Sequence, residues 1–260
     1  MMFDNTCKLI AELYSPDFAT WLLGKPITLT KLSPTELSIE PIRADALIML
    51  QSDEVVLHIE FQTEPDENMP FRMADYYLRI YRRFPNKQIY QFVIYLDKTT
   101  SEKVYQLTFT TGKMRHEFDV IRLWEQPSEI FLRTPGLLPF AVLSATENKA
   151  STLQLVAAAV DKISERRTQS NISAAAAILA GLVLDQEVIV RLFRKDIMRE
   201  SVIYQSILSE GKEEGIELGV RRVAVNLLKE NMPVEMVAKV TGLTIEQVQS
   251  LVMTDVEQSE

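Results

Sequence analysis

The chain has 260 residues, 47% of them hydrophobic and 25% charged, and a formal net charge of −8. This is an ordinary globular composition, long enough for one sizeable core and a smaller module, and the acidic balance argues against a protein that grips nucleic acid over a broad surface. One cysteine, Cys7, excludes an intramolecular disulfide and a cysteine-based zinc cage.

A reducing, cytoplasmic setting is therefore expected. The N-terminus does not pair a basic start with an apolar run, so no secretory signal is expected. The longest apolar stretch, residues 172–184, is interrupted by Ser173 and Gly181 and is too short to span a bilayer, so no membrane partner is expected.

In chain order, Leu9, Ile10 and Leu13 give residues 4–14 a helical spacing. Ser15-Pro16 reads as a helix start with serine as cap, and Gly24 as the stop after Phe18, Trp21 and Leu22. Residues 25–42 hold three prolines and read as loop plus a short strand at 36–40. Residues 43–62, RADALIMLQSDEVVLHIEFQ, read as two apolar strands joined by a polar turn at 51–54. A polar loop follows, then a helix at 71–84 with Met73, Tyr77 and Ile80 as its buried face, ended by Pro85. Residues 88–96, QIYQFVIYL, are rich in β-formers, and 103–109 and 115–124 read as two more strands about a Thr111-Gly112 turn. Past Pro127 the pattern is helical: 137–143, 153–163, 173–184, 187–193, 196–217 and 221–229, with the acidic run 210–219 as an exposed helix or a hinge.

The chemistry concentrates in residues 43–62. Strand side chains alternate faces, so His58, Glu60 and Gln62 share one. If Asp45 faces Glu60 across the hairpin, the two carboxylates and the backbone carbonyl of Phe61 form a hard oxygen pocket suited to Mg2+ or Mn2+. Asp and Glu on strands more often sit on solvated faces, but these strands are apolar on both sides, where an unpaired carboxylate is costly. His58 reads as a base, a phosphate contact or a satisfied core histidine. His116 is assigned no role, and Cys7 reads as buried and inert. The next helix carries Arg72, Tyr76, Arg79 and Arg83 at i, i+4, i+7 and i+11, with Arg82 and Lys87 nearby. This local basic patch is either a DNA-backbone contact or a solvated flank.

Taken together, these residues resemble a known family. RADALIML, VVLHIEFQTEPDENMPFRMADYYLRIY and IYQFVIYL, followed by FDVIRLWE, GLLPFAVLS, EGKEEGIELG and MPVEMVAKVTGLTIEQVQSL, resemble the PD-(D/E)XK nuclease superfamily. Within it they look like the Rpn group of recombination-promoting, transposase-like nucleases. The resemblance implies an α/β restriction-endonuclease-like core, a mixed sheet with flanking helices, then an all-helical C-terminal region. It implies Mg (or Mn) held by Asp45 and Glu60, with Gln62 where the superfamily has lysine, and it makes Glu12 a candidate supporting acid. Gln62 cannot act as a base or carry positive charge, but it can orient water or phosphate by hydrogen bonds.

Residues 232–252 read as two short helices broken at Thr241-Gly242, with Thr244 capping the second and Gln247 at its third position. The second helix offers Glu246, Gln247 and Gln249 and no basic residue, so packing or homo-oligomerisation through the C-terminal helices is favoured over DNA reading. The expected organisation is a nuclease-like α/β domain over 1–126, a helical region over 127–217 and a helix-turn-helix-like module over 218–260. Two functions stay open: a metal-dependent DNA endonuclease, and a catalytically weak or inactive nuclease fold that binds DNA or protein. A helical scaffold dominated by residues 130–260 is a third.

Overall fold

The computed structural model describes residues 2–32, 47–193, 195–230 and 232–257. The strand expected at 36–40 and the start of the hairpin, Asp45 included, lie outside the described residues. The chain divides into two compact units, Met1–Tyr204 and Gln205–Glu260. Among the described residues, no helix is long and apolar enough to cross a membrane.

The first unit is α/β, built on a mixed five-stranded sheet. Helix α1 (Met2–Leu13) is followed at once by α2 (Ser15–Leu23), which ends at Gly24 in the left-handed conformation (φ 72°). Ser15 is not the cap expected from sequence. Its hydroxyl donates to the Leu29 carbonyl at 2.8 Å, fastening the following loop instead. Strands β1 (Thr30–Lys31), β2 (Leu47–Gln51) and β3 (Val55–Gln62) pair antiparallel, with Leu47 opposite Glu60 at the end of the described ladder.

Helix α3 (Met69–Arg83) then carries the chain back, so β4 (Gln88–Tyr95) lies parallel to β3. Its buried face is Met73, Ala74, Tyr76 and Ile80. Tyr77, expected inside, is half-buried. Both tyrosines fit a helical spacing with Met73 and Ile80; Tyr76 is the one that packs with Val56 of β3 and Leu32, while Tyr77 lies against His116.

The strand expected at 103–109 begins instead as a 3-10 turn over Glu102–Tyr105, capped by Ser101. Strands β5 (Thr108–Thr111) and β6 (Met114–Glu117) form a separate hairpin around Gly112 (φ 57°). The run read as one strand at 115–124 splits at the buried Phe118. Its second half, β7 (Asp119–Arg122), joins the main sheet parallel to β4.

Both faces of β3 are covered, as apolar runs without alternation require. On one face, Val56 packs with Leu32, Tyr76 and Ile80. On the other, Phe61 stacks on Phe140, with centroids 5.9 Å apart and rings 14° from parallel, and meets Phe18 edge-on at 6.3 Å. Phe140 belongs to the 3-10 segment Pro135–Leu143, which follows the short α4 (Ser128–Phe131). Gly136 of that segment lies so close to Tyr14 that any Cβ would collide, and its N–H donates to Asp17 at 2.7 Å. The boundary expected at 126 therefore falls inside one compact unit. The sheet's second face is completed by residues on the far side of that boundary.

Helices α5 (Lys149–Val160), α6 (Arg166–Ala180), α7 (Gln186–Leu192) and α8 (Lys195–Met198) finish the unit. The helix expected from 196 is interrupted at the buried Ser201. The Ser201 hydroxyl accepts from the N–H groups of Ile203 and Tyr204 and donates to Asn171, so the helix restarts as α9 (Val202–Lys229). From there α9 is helical through 229, so 210–219 is part of a helix.

In the second unit Ala224 of α9 packs with Val237, Ala238 and Val248 from α10 (Val234–Thr241) and α11 (Ile245–Glu257). Gly242 is left-handed (φ 75°), and Thr244 and Gln247 form a reciprocal cap, each side chain accepting the other's backbone N–H. Gly211, Gly215 and Gly219 lie at i, i+4 and i+8 of α9, and a Cβ at each would touch none of the described residues. Gly215→Ala is accordingly expected to stabilise α9 by about 0.5–1 kcal/mol, read as a rise in melting temperature with increased helical ellipticity. A fall would mean that the bare backbone is needed there.

Candidate functional site

Three elements converge on Glu60. The covered strand β3 delivers its carboxylate fully buried, on the side facing α3. The first turn of α3 delivers Arg72, whose Nη2 stands 3.2 Å from each Glu60 oxygen. The loop between them delivers Asp66, which accepts from Arg72 Nη1 at 3.1 Å and from the Asn68 N–H at 2.8 Å. Burial works against the Arg72 charge, yet Glu60, with smaller contributions from Tyr76 and Asp66, holds its pKa above the usual value. Burial and the nearby Glu60 charge raise the Tyr76 phenol, with Arg72 opposing.

Behind Glu60 lies a second set of polar groups, of which His58 and Gln91 are buried and His116 is half-buried. His58 is on the same face of β3, with Nε2 3.6 Å from Glu60 Oε1 and its ring edge-on to Tyr76 at 5.3 Å. Its Nδ1 is 2.8 Å from Gln91 Nε2 on β4. Gln91 Nε2 also donates to the Met73 carbonyl at 2.9 Å, and Gln91 Oε1 accepts from His116 Nε2 at 2.7 Å. His116, on β6, lies over Tyr77 with ring centroids 4.8 Å apart. Burial, then the neighbouring His58, lowers the His116 pKa. A continuous path of side chains thus runs from the half-buried His116 to Glu60, Arg72 and Asp66.

The sequence candidates fall into three groups. Glu60, His58, Arg72 and Tyr76 are brought together. Gln62 closes β3, half-buried, while the Phe61 side chain points to the opposite face and only its backbone remains on the ladder beside Ile94. Glu12 is engaged elsewhere, 2.8 Å from Lys31. Asp45 lies outside the described residues. The expected basic face of α3 is not a uniform outward stripe. Arg72 turns inward to Glu60, Tyr76 is buried, Arg79 pairs with Asp75 at 2.9 Å, and Arg83 is exposed beside Phe84. The four lie within a narrow arc of the helix, so the difference runs along its axis: Arg72 in the first turn lies over Glu60 of β3, whereas Arg83 ends the helix.

Sequence reasoning missed Gln91 and His116. A usable signal was present: Gln91 is a polar residue inside the β-run QIYQFVIYL, and a buried amide needs partners.

The described residues do not by themselves fit a divalent cation. Among them no group of three His, Cys, Asp or Glu side chains could hold one. The groups around Glu60 are a guanidinium and an imidazole, and the guanidinium already meets both of its oxygens. What the arrangement can do is hold a buried carboxylate between a cation and a ring nitrogen, with Asp66 ready to keep Arg72 if Glu60 takes another partner. Comparison with protein-family models, characterised proteins and solved structures finds no match for this chain.

Proposed function

We propose that this chain is a nuclease-fold protein of the PD-(D/E)XK, Rpn-like kind, acting as a metal-dependent endonuclease on the phosphodiester bonds of DNA. The observation that carries the reading is Glu60. It is a fully buried carboxylate in the central strand of an α-β-β-β-α-β order, where antiparallel strands give way to a parallel β4 after α3. A carboxylate on a strand covered on both faces is costly unless it is paired or put to use, which supports the reading. The resemblance assigns it, with Asp45 and the Phe61 carbonyl, to Mg (or Mn), so the reading requires Asp45 to complete the set and Arg72 to yield its place on Glu60. Arg72 released from Glu60 would stay near through Asp66 and could meet a phosphate, with Arg79 and Arg83 further along the same helix. Gln62 would orient water or phosphate.

The second reading, a nuclease fold that binds DNA or a protein without cleaving, is favoured by Arg72 on Glu60 and by glutamine at 62. Plasmid nicking with Mg2+ or Mn2+ separates the two. Wild type is expected to nick, and Asp45→Ala and Glu60→Ala are each expected to lower the rate at least about 100-fold, the scale of losing a charge-stabilising group. A wild type that binds but never nicks leaves the second reading. Equal nicking by all three places the activity at another site.

A further inference from the structure

The amide of Gln91 has a donor end and an acceptor end, and its surroundings decide which is which. The Met73 backbone oxygen can only accept, and it lies 2.9 Å from one amide atom, so that atom is the NH2 nitrogen. The same nitrogen is 2.8 Å from His58 Nδ1. Its two hydrogens are then both used, one on each partner, and Nδ1 must accept. The other end, Oε1, accepts the His116 Nε2 proton at 2.7 Å. A flipped amide would set oxygen against oxygen at Met73, so one orientation satisfies the amide and its three partners. An imidazole whose Nδ1 accepts carries its single proton on Nε2. In His58 that nitrogen is buried, has no hydrogen-bond partner, and lies 3.6 Å from Glu60 Oε1.

We propose that Gln91 is a positioning residue that fixes His58 as the Nε2–H tautomer, so that the ring meets Glu60 as a proton donor and not as a metal ligand. The 3.6 Å separation is longer than a hydrogen bond, and a shift of a few tenths of an ångström would close it. With its Nε2 lone pair replaced by a proton, His58 is withdrawn from any ligand set around Glu60. It becomes the uncharged donor beside the charged one, Arg72. The edge-on Tyr76 ring at 5.3 Å packs against the imidazole and limits its rotation. As a statement about positioning, the inference rests on Glu60 being the reactive-site carboxylate; the tautomer itself does not.

The test uses the full chain with 15N-labelled histidine, which carries two histidines, so His116→Gln assigns the spectrum. Long-range proton–nitrogen correlations report which ring nitrogen holds the proton. The expected result is a single His58 species protonated at Nε2 and bare at Nδ1. A mixture of tautomers, a proton on Nδ1, or protons on both nitrogens overturns the proposal. Gln91→Met removes the amide donor without setting a second oxygen against the Met73 carbonyl, so Nδ1 is no longer held bare and part of the His58 population is expected to switch its proton to Nδ1. A folded variant that keeps the Nε2–H form alone removes Gln91 from the cause, and if the variant does not fold, the wild-type spectrum still decides. In a nicking assay the same variant should lose about 10–100-fold in kcat with KM unchanged, the scale of losing an outer hydrogen-bond partner. A switched tautomer with unaltered kcat overturns the positioning role. A wild type without nicking activity counts against the nuclease reading, and the spectrum alone then decides the tautomer.

Discussion

Replacing Arg72 with methionine is expected to destabilise the first unit by about 3–5 kcal/mol, the usual cost of stranding one member of a buried ion pair. Glu60 is fully buried, and Arg72 supplies the cation in contact with it among the described residues. For a unit of this size the loss corresponds to a fall in melting temperature of roughly 6–20 °C. The Arg72 side chain is itself 27% exposed, which lets water reach the gap and favours the lower end. The double variant Glu60→Gln with Arg72→Met removes both charges and is expected to recover most of the loss. Thermal unfolding of the two variants beside wild type checks this. A single variant as stable as the double one would show that the pair is not coupled.

Phe140→Ala is expected to cost about 3–5 kcal/mol as well, through a different cause. Phe140 is fully buried and touches Phe18, Phe61, Trp21 and Phe131, so truncation opens a cavity between the sheet and the segment that covers it. Because the ring contacts elements on both sides of residue 126, the loss should be felt by the sheet and the helices together. Far-ultraviolet ellipticity and tryptophan fluorescence, with Trp21 in this cluster and Trp124 beside the cluster on the other face, should report one shared midpoint. A fragment ending at 126 lacks Phe131 and Phe140 and is expected to give no cooperative transition. Separate midpoints, or a fragment that folds, would restore a domain boundary there.

Much of this architecture was legible in the sequence. Gly24 and Gly242 stop their helices, Thr244 and Gln247 cap α11, and the hairpin around 51–54 pairs as its two apolar runs suggested. These are local signals, set by residues within a few positions of one another. What escaped is set by distant partners. Periodicity placed residues 115–124 in strand conformation but could not say that Phe118 would divide them between two sheets. Composition changed at Pro127, but a compositional change does not reveal that Phe61 and Phe140 share one core. At the site, alternation put His58 and Glu60 on one face, whereas the turn of Arg72 from a solvent stripe onto Glu60 depends on where α3 lies over β3. Gln91 was passed over because the run around it reads as strand, and its partners are 18 and 33 residues before it and 25 after.

The double cover of β3 also bears on how freely this chain can vary. A strand with one wet face can exchange every second residue for almost any polar one, so its tolerated substitutions come in alternation. From Val55 to Phe61 every side chain of β3 is buried, with Val56, His58 and Glu60 on the α3 face and Phe61 against Phe140. Drift along β3 is therefore closed at consecutive positions, and a library saturating residues 55–61 should return one unbroken intolerant block. Within that block, two polar residues cannot simply be traded for apolar ones, because Gln91 and Arg72 would be left holding unmatched hydrogen bonds and charge.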